Sequence, residues 1–143
     1  AKAQPFWIPV LKSIRAEALV MIGRKEEAAA QLSEIAEDLM SDVDRLVAML
    51  EVCCDLAIHR EAFELAAMIQ GCTNRISEER SLTIGRPHEL RIKNQNVVSV
   101  RNHLKADILA DAVYRGRIAE PNRLIGSVLE LYADSLDKKG FSL

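Results

Sequence analysis

Apolar residues return every three or four positions along nearly all of this 143-residue chain, and the runs are broken only by short polar connections. That spacing is the period of an α-helix with one face turned inward. Leu11, Ile14, Ala18 and Ile22 form one stripe, and Gly23 follows where a helix C-terminal cap belongs. Ala28, Leu32, Ile35 and Leu39 form the next, then Val43, Leu46, Leu50, Cys53 and Ala57, then Ala62, Leu65 or Ala66, Ile69 and Cys72. Connections this short make consecutive helices antiparallel neighbours.

The pattern loosens over residues 73–86, read as a polar connector, and Pro87 stands where a first-turn proline opens another helix. Val97, Val100, Leu104, Ile108 and Ala112 carry the next stripe, and period alone leaves open whether one helix or two bear it. Gly116 is read as the end of that element. Pro121 opens the last, with Leu124, Val128, Leu131 and Ser135 or Leu136 inward, until Gly140. Aromatics make up only 4% of the chain, so the core must come from Leu, Ile, Val, Ala and Met, a palette suited to helix-on-helix packing. The expected fold is all-α.

An offset of 34 residues tests for a repeat. Glu27-Ala28 maps to Glu61-Ala62, Ala16 to Leu50, Leu19 to Cys53, Ile22 to Leu56, Leu32 to Ala66 and Ile35 to Ile69. A 34-residue helix–turn–helix period is that of the tetratricopeptide repeat, which residues 8–40 and 42–74 resemble. The resemblance makes Gly23 the turn glycine and Ala28 the close-contact position; Ala57 stands where the second turn glycine would be. It implies an α-solenoid of two hairpins over residues 8–74, a connector over 75–86 and a C-terminal helical cap over 87–140.

Residues 50–130 carry a second resemblance. "HREAFELAAMIQGCTNRISEE", with Gln70-Gly71-Cys72, then Pro87, Glu89 and Arg91, and "ADILADAVYRGRIAEPNRLIGSVLE", with Tyr114, Gly116 and Arg117, are similar to the C-terminal helical region of bacterial multidomain signal-transduction ATPases and LuxR-type transcriptional regulators. Asn94, Gln95 and Asn96 depart from the alanine-rich helix usual there. The resemblance implies a non-catalytic, sensory or scaffolding part of a STAND ATPase-type regulator. The nucleotide-binding module would lie elsewhere, because no Gly-rich loop ending in Gly-Lys-Ser/Thr occurs here. A first residue of Ala1 is expected to mark a piece of a longer protein.

Candidate chemistry is sparse. Cys53, Cys54, His59 and Cys72 lack the C-x-x-C spacing of a zinc site, so neither metal nor other cofactor is expected. Three cysteines without framework spacing suit a reducing cytoplasm. His59, His88 and His103 have no partner pattern for nucleophilic catalysis, and no enzyme is expected. The carboxylate pairs Glu26 with Glu27, Asp42 with Asp44, and Asp107 with Asp111 read as helix first turns and solvated faces. No apolar run approaches the roughly 18 residues of a membrane span, and the N-terminus lacks the flanks of a signal peptide.

Charge offers two surfaces. The first 72 residues carry 7 basic and 12 acidic side chains, and the remainder 12 and 9. The basic surplus gathers in Arg75, Arg80, Arg86, Arg91, Lys93, Arg101 and Lys105, an alternative nucleic-acid contact that lacks interleaved aromatics and a recognition helix. The leading expectation is a surface for a protein, peptide or small effector, or for a neighbouring domain of the same chain. On a concave face built from the first helix of each hairpin, Lys12, Arg15, Arg45 and Glu51 would meet that partner. Phe6 and Trp7 would fill a face that a preceding repeat covers, and if uncovered would drive homodimerisation.

Overall fold

The computed structural model describes residues 7–38, 42–80 and 87–134. They form seven helices and no strand: α1 (Trp7–Met21), α2 (Lys25–Ile35), α3 (Val43–His59), α4 (Phe63–Arg80), α5 (Pro87–His103), α6 (Ala106–Arg117) and α7 (Pro121–Leu131). The all-α expectation holds. Leu39, Arg86, Ser135, Leu136, Gly140 and Phe6, which the sequence reading also used, lie outside the described residues.

Local chemistry sets several boundaries. Gly23 has a left-handed φ of 83°, its N–H donates to the Val20 carbonyl (3.1 Å), and the Arg24 N–H reaches back to Leu19 (2.8 Å). Those two bonds make a Schellman cap, which glycine closes without Cβ strain. Asp42 caps α3 by accepting from the Arg45 N–H at 3.2 Å. Pro87 opens α5, and Pro121 sits in the first turn of α7.

The 34-residue register does not hold at the turns. The second turn is a Schellman cap at Glu61 (φ 59°), where the Glu61 and Ala62 N–H groups reach Ile58 and Ala57. Ala57, assigned to that turn, is instead fully buried inside α3. Gly23 and Glu61 therefore correspond at an offset of 38: α3 starts 36 residues after α1 and runs two residues longer. On that register Ala28 and Ala29 match Ala66 and Ala67, four small residues with no exposed surface.

Three further points of the sequence reading are sharpened. The polar connector begins later than residue 75, since α4 continues to Arg80 with Thr73 and Ile76 buried one turn apart. The stripe from Val97 to Ala112, which period leaves open, is two helices: α5 stops at His103 and α6 restarts after Lys105, with no glycine or proline to mark the break. Gly116 does fall at the end of its element, one residue before the last of α6, but as a helical glycine buried against α4.

α1 packs on α2, α3 on both and on α4, and α5 against α3 and α4. α6 lies along α4 in the most extensive helix pairing, and α7 bridges α3 and α4. The α4–α6 crossing is glycine on both sides. A Cβ on Gly71 would interpenetrate the Val113 carbonyl, and one on Gly116 the Met68 carbonyl. Ala67 and Ala112, one turn before each glycine, are also fully buried. Small residues at four-residue spacing thus let two backbones touch. Tyr132, just past α7, is fully buried and donates from its hydroxyl to the Leu56 carbonyl at 2.9 Å, tying the C-terminal helix to α3.

Candidate functional site

The first-helix stripe is where the structure departs furthest from the sequence reading. The spacing turns Leu11, Ile14, Ala18 and Ile22 toward the core, but all four are exposed. α1 instead buries Ser13, Ala16, Leu19 and Val20. Helix α1 is apolar on two faces, and periodicity selects the stronger one without knowing which face the neighbours occupy. Together with Trp7 and Met21, the outward stripe shows five large apolar side chains that are 50% to 65% exposed. Trp7, Leu11, Ile14, Ala18 and Met21 follow a 4-3-4-3 spacing, that of a seam made to meet one other helix.

The chain contains the docked form of the same stripe. On the register fixed by the two caps, Trp7, Leu11, Ile14, Ala18 and Ile22 correspond to Arg45, Met49, Val52 and Leu56 of α3 and to Arg60 at its C-cap. Met49, Val52 and Leu56 are buried. Both ends of that stripe reach the first hairpin: the Arg45 guanidinium donates to Ser13 Oγ (3.2 Å) and Glu17 (3.0 Å) on α1, and Arg60 lies 3.7 Å from Glu26 on α2. Lys25 and Asp55 form a further ion pair across the same contact. So α3 lays against α1 and α2 the face that α1 presents to solvent.

The four proposed partner residues are not brought together on one open surface. Lys12 pairs with Glu34 of α2 at 3.2 Å, and Arg45 is held by α1 as above. Arg15 is exposed. Glu51 is largely enclosed; burial raises its carboxyl above the usual range, and nearby Lys93 opposes that shift.

The basic segment is dispersed as well. Arg75 donates to the Arg117 carbonyl at 2.9 Å and lies 3.7 Å from Glu79, so it serves the α4–α6 contact. Arg80 is exposed near the end of α4, and Lys105 precedes α6. Lys93 and Arg101 do converge: they flank Val97 along α5 and border a cleft of ≈ 200 Å³ shared with α4 and α6. Gln70 and Asn74 add two amides from α4, and Leu109 and Val113 extend the apolar floor.

Cys53, Cys54 and Cys72 are buried thiols, and burial pushes all three up, away from the reactive thiolate. Among the described residues no group of three His, Cys, Asp or Glu side chains is arranged to hold a metal, and no helix is long and apolar enough to cross a membrane. Sequence reasoning missed Tyr132 and the paired glycines; the signals were Ala67/Gly71 and Ala112/Gly116 at matching four-residue spacing. Comparison with family models, with curated proteins and with solved structures finds no match for this chain.

Proposed function

We propose that the chain is a non-catalytic interaction module, a run of tetratricopeptide-like hairpins that docks a helical partner on the exposed face of α1. The observation that carries this reading is the 4-3-4-3 stripe from Trp7 to Met21, whose counterpart on α3 is seated on a helical hairpin. Covering five half-exposed large side chains is worth on the order of 5 kcal/mol before the costs of association. The stripe is about 21 Å long at 1.5 Å per residue. A lone α1–α1 pairing of two copies would therefore bury little beside the ~1,200 Å² of a stable interface. A hairpin, gripping α1 with two helices as α1 and α2 grip α3, buries more, so the partner is a helical hairpin in the same chain or another.

The order of contacts supports the repeat reading: α3 rests on α1 and α2, and α5 rests on α3 and α4 in turn. Placement in a cytoplasmic bacterial signal-transduction or transcriptional regulator rests on the sequence resemblance alone. The module needs no cofactor. The basic-segment alternative loses Arg75 to the α4–α6 contact and keeps no aromatic track.

A photoreactive residue in place of Ile14, mapped by mass spectrometry in the native cell, tests the proposal. Crosslinks into helical segments with an apolar seam are expected, absent from a control at Arg123 and lost when Leu11→Glu/Met21→Glu is added. That double variant should keep its Tm within about 2 °C, because exposed positions contribute little to folding. Identical crosslinks from both sites, or unfolding of the double variant, would refute it.

A further inference from the structure

Eight cations of the described residues are paired. Lys12, Arg24, Lys25, Arg45, Arg60, Arg75, Arg115 and Arg117 each lie within ion-pair distance of a carboxylate. Helix α5 differs in leaving two unpaired cations on one cleft. Arg91, Lys93 and Arg101 form no ion pair among the described residues, although Lys93 is near enough to the enclosed Glu51 to oppose the rise of its carboxyl. Two of these three, Lys93 and Arg101, border the α4–α5–α6 cleft, and no carboxylate lines it.

We propose that this cleft binds an extended acidic peptide bearing two carboxylates on either side of an apolar residue. The site is separate from the α1 face and does not depend on it. Lys93 and Arg101 are eight positions apart on one helix, about 12 Å along its axis at 1.5 Å per residue. In an extended chain, side chains at i, i+2 and i+4 share one face and i to i+4 spans about 13 Å at 3.3 Å per residue. An acidic residue at each end meets Lys93 and Arg101, and the apolar residue between them settles on Val97, Leu109 and Val113. The exposed Asn74 amide, and the Gln70 side-chain oxygen whose Nε2 donates to Cys54 Sγ at 3.6 Å, are placed to bond the peptide's backbone, which an extended segment leaves unpaired. A nucleic-acid strand fits less well, because it needs a run of cations and stacking aromatics, and the cleft offers two cations and no aromatic ring.

The test is a fluorescence-anisotropy titration of the whole chain with a labelled nonapeptide carrying Glu at its third and seventh positions and Leu at its fifth. Saturable binding is expected. It should weaken tenfold or more when either Lys93→Met or Arg101→Met is introduced, since a charge-assisted hydrogen bond is lost. It should weaken similarly when the peptide's two Glu become Gln, and remain unchanged in Arg15→Met. No saturation by millimolar protein, or equal binding by the Lys93 and Arg101 variants, overturns the proposal. So does complete competition by millimolar glutarate or phosphate, which would make the cleft a small-anion site. Tighter binding to duplex DNA, with a steep salt dependence, overturns it in favour of a nucleic-acid surface. The Gln peptide decides the matter even if a protein variant fails to fold.

Discussion

Replacing Gly116 by Ala should destabilise this protein by about 2 kcal/mol, even though alanine is the better helix former. In the middle of a helix the exchange gains up to about 1 kcal/mol of propensity. Against that gain, the new methyl group meets the Met68 carbonyl and Cα, which belong to the interior of α4 and cannot swing aside. Overpacking a close contact costs about 1–3 kcal/mol, and a backbone obstacle belongs at the upper end or beyond. The same arithmetic applies to Gly71→Ala, whose methyl meets the Val113 carbonyl and the Arg117 nitrogen. For a chain of this size each kcal/mol moves Tm by roughly 3–5 °C, so each variant should melt about 6–10 °C lower. The two glycines serve one crossing. Once the first methyl has parted the helices the second meets less resistance, and the double variant should fall short of the sum by at least about 1 kcal/mol. Gly126→Ala is the internal control: nothing lies within 4 Å of its added Cβ, so the propensity gain should appear as a rise in stability of up to about 1 kcal/mol. Thermal and urea unfolding followed by circular dichroism at 222 nm reads all four proteins. Crossing variants within 0.5 kcal/mol of the parent, or full additivity in the double, would show that α4 and α6 do not meet through these glycines.

Two further predictions concern titration. Glu51 has its carboxyl raised by burial, so the folded state holds that proton more tightly than the unfolded chain. The associated stability is present below the ordinary carboxylate range and is lost as pH rises through the raised value. Glu51→Gln should therefore stabilise the protein at pH 7, with the gain shrinking toward pH 4; a constant difference across that range would contradict the placement of Glu51. Burial likewise raises the Tyr132 hydroxyl to about 12. Stability carried by that proton is present below the ordinary tyrosine value near 10 and is lost as pH climbs from there to about 12, an effect on the order of 2 kcal/mol. Tyr132→Phe should cost about 1 kcal/mol at neutral pH, for the bond to Leu56, and show a flatter alkaline limb in urea titrations. Its ring should keep the Arg60 guanidinium, which stacks 4.2 Å from the Tyr132 centroid.

Much of the candidate interaction surface was visible in the sequence, but with its sign reversed. The spacing of Leu11, Ile14, Ala18 and Ile22 marks a docking face, and α3 shows such a face in its docked state. What spacing cannot show is whether the partner belongs to the described residues. The cleft was harder to find. Lys93 and Arg101 stand in the basic run, yet their convergence depends on α4 and α6, and Arg75 of the same run serves the α4–α6 contact instead. The 34-residue register failed because matching apolar pairs recur at several offsets in any amphipathic chain, whereas a backbone cap fixes only one.

The sequence by itself determined the helices: their period, the proline starts at Pro87 and Pro121, the left-handed stop at Gly23, and a core without a large aromatic complement. These are local properties, set within a turn or two by propensity and backbone sterics. The tertiary structure alone decided which face of α1 turns outward, where α5 gives way to α6, that Gly71 meets Gly116's helix, and that Glu51 is enclosed. Each of those depends on residues far apart in the chain. Burial is a property of pairs of surfaces, and a helix with two apolar faces cannot choose between them until its neighbours arrive.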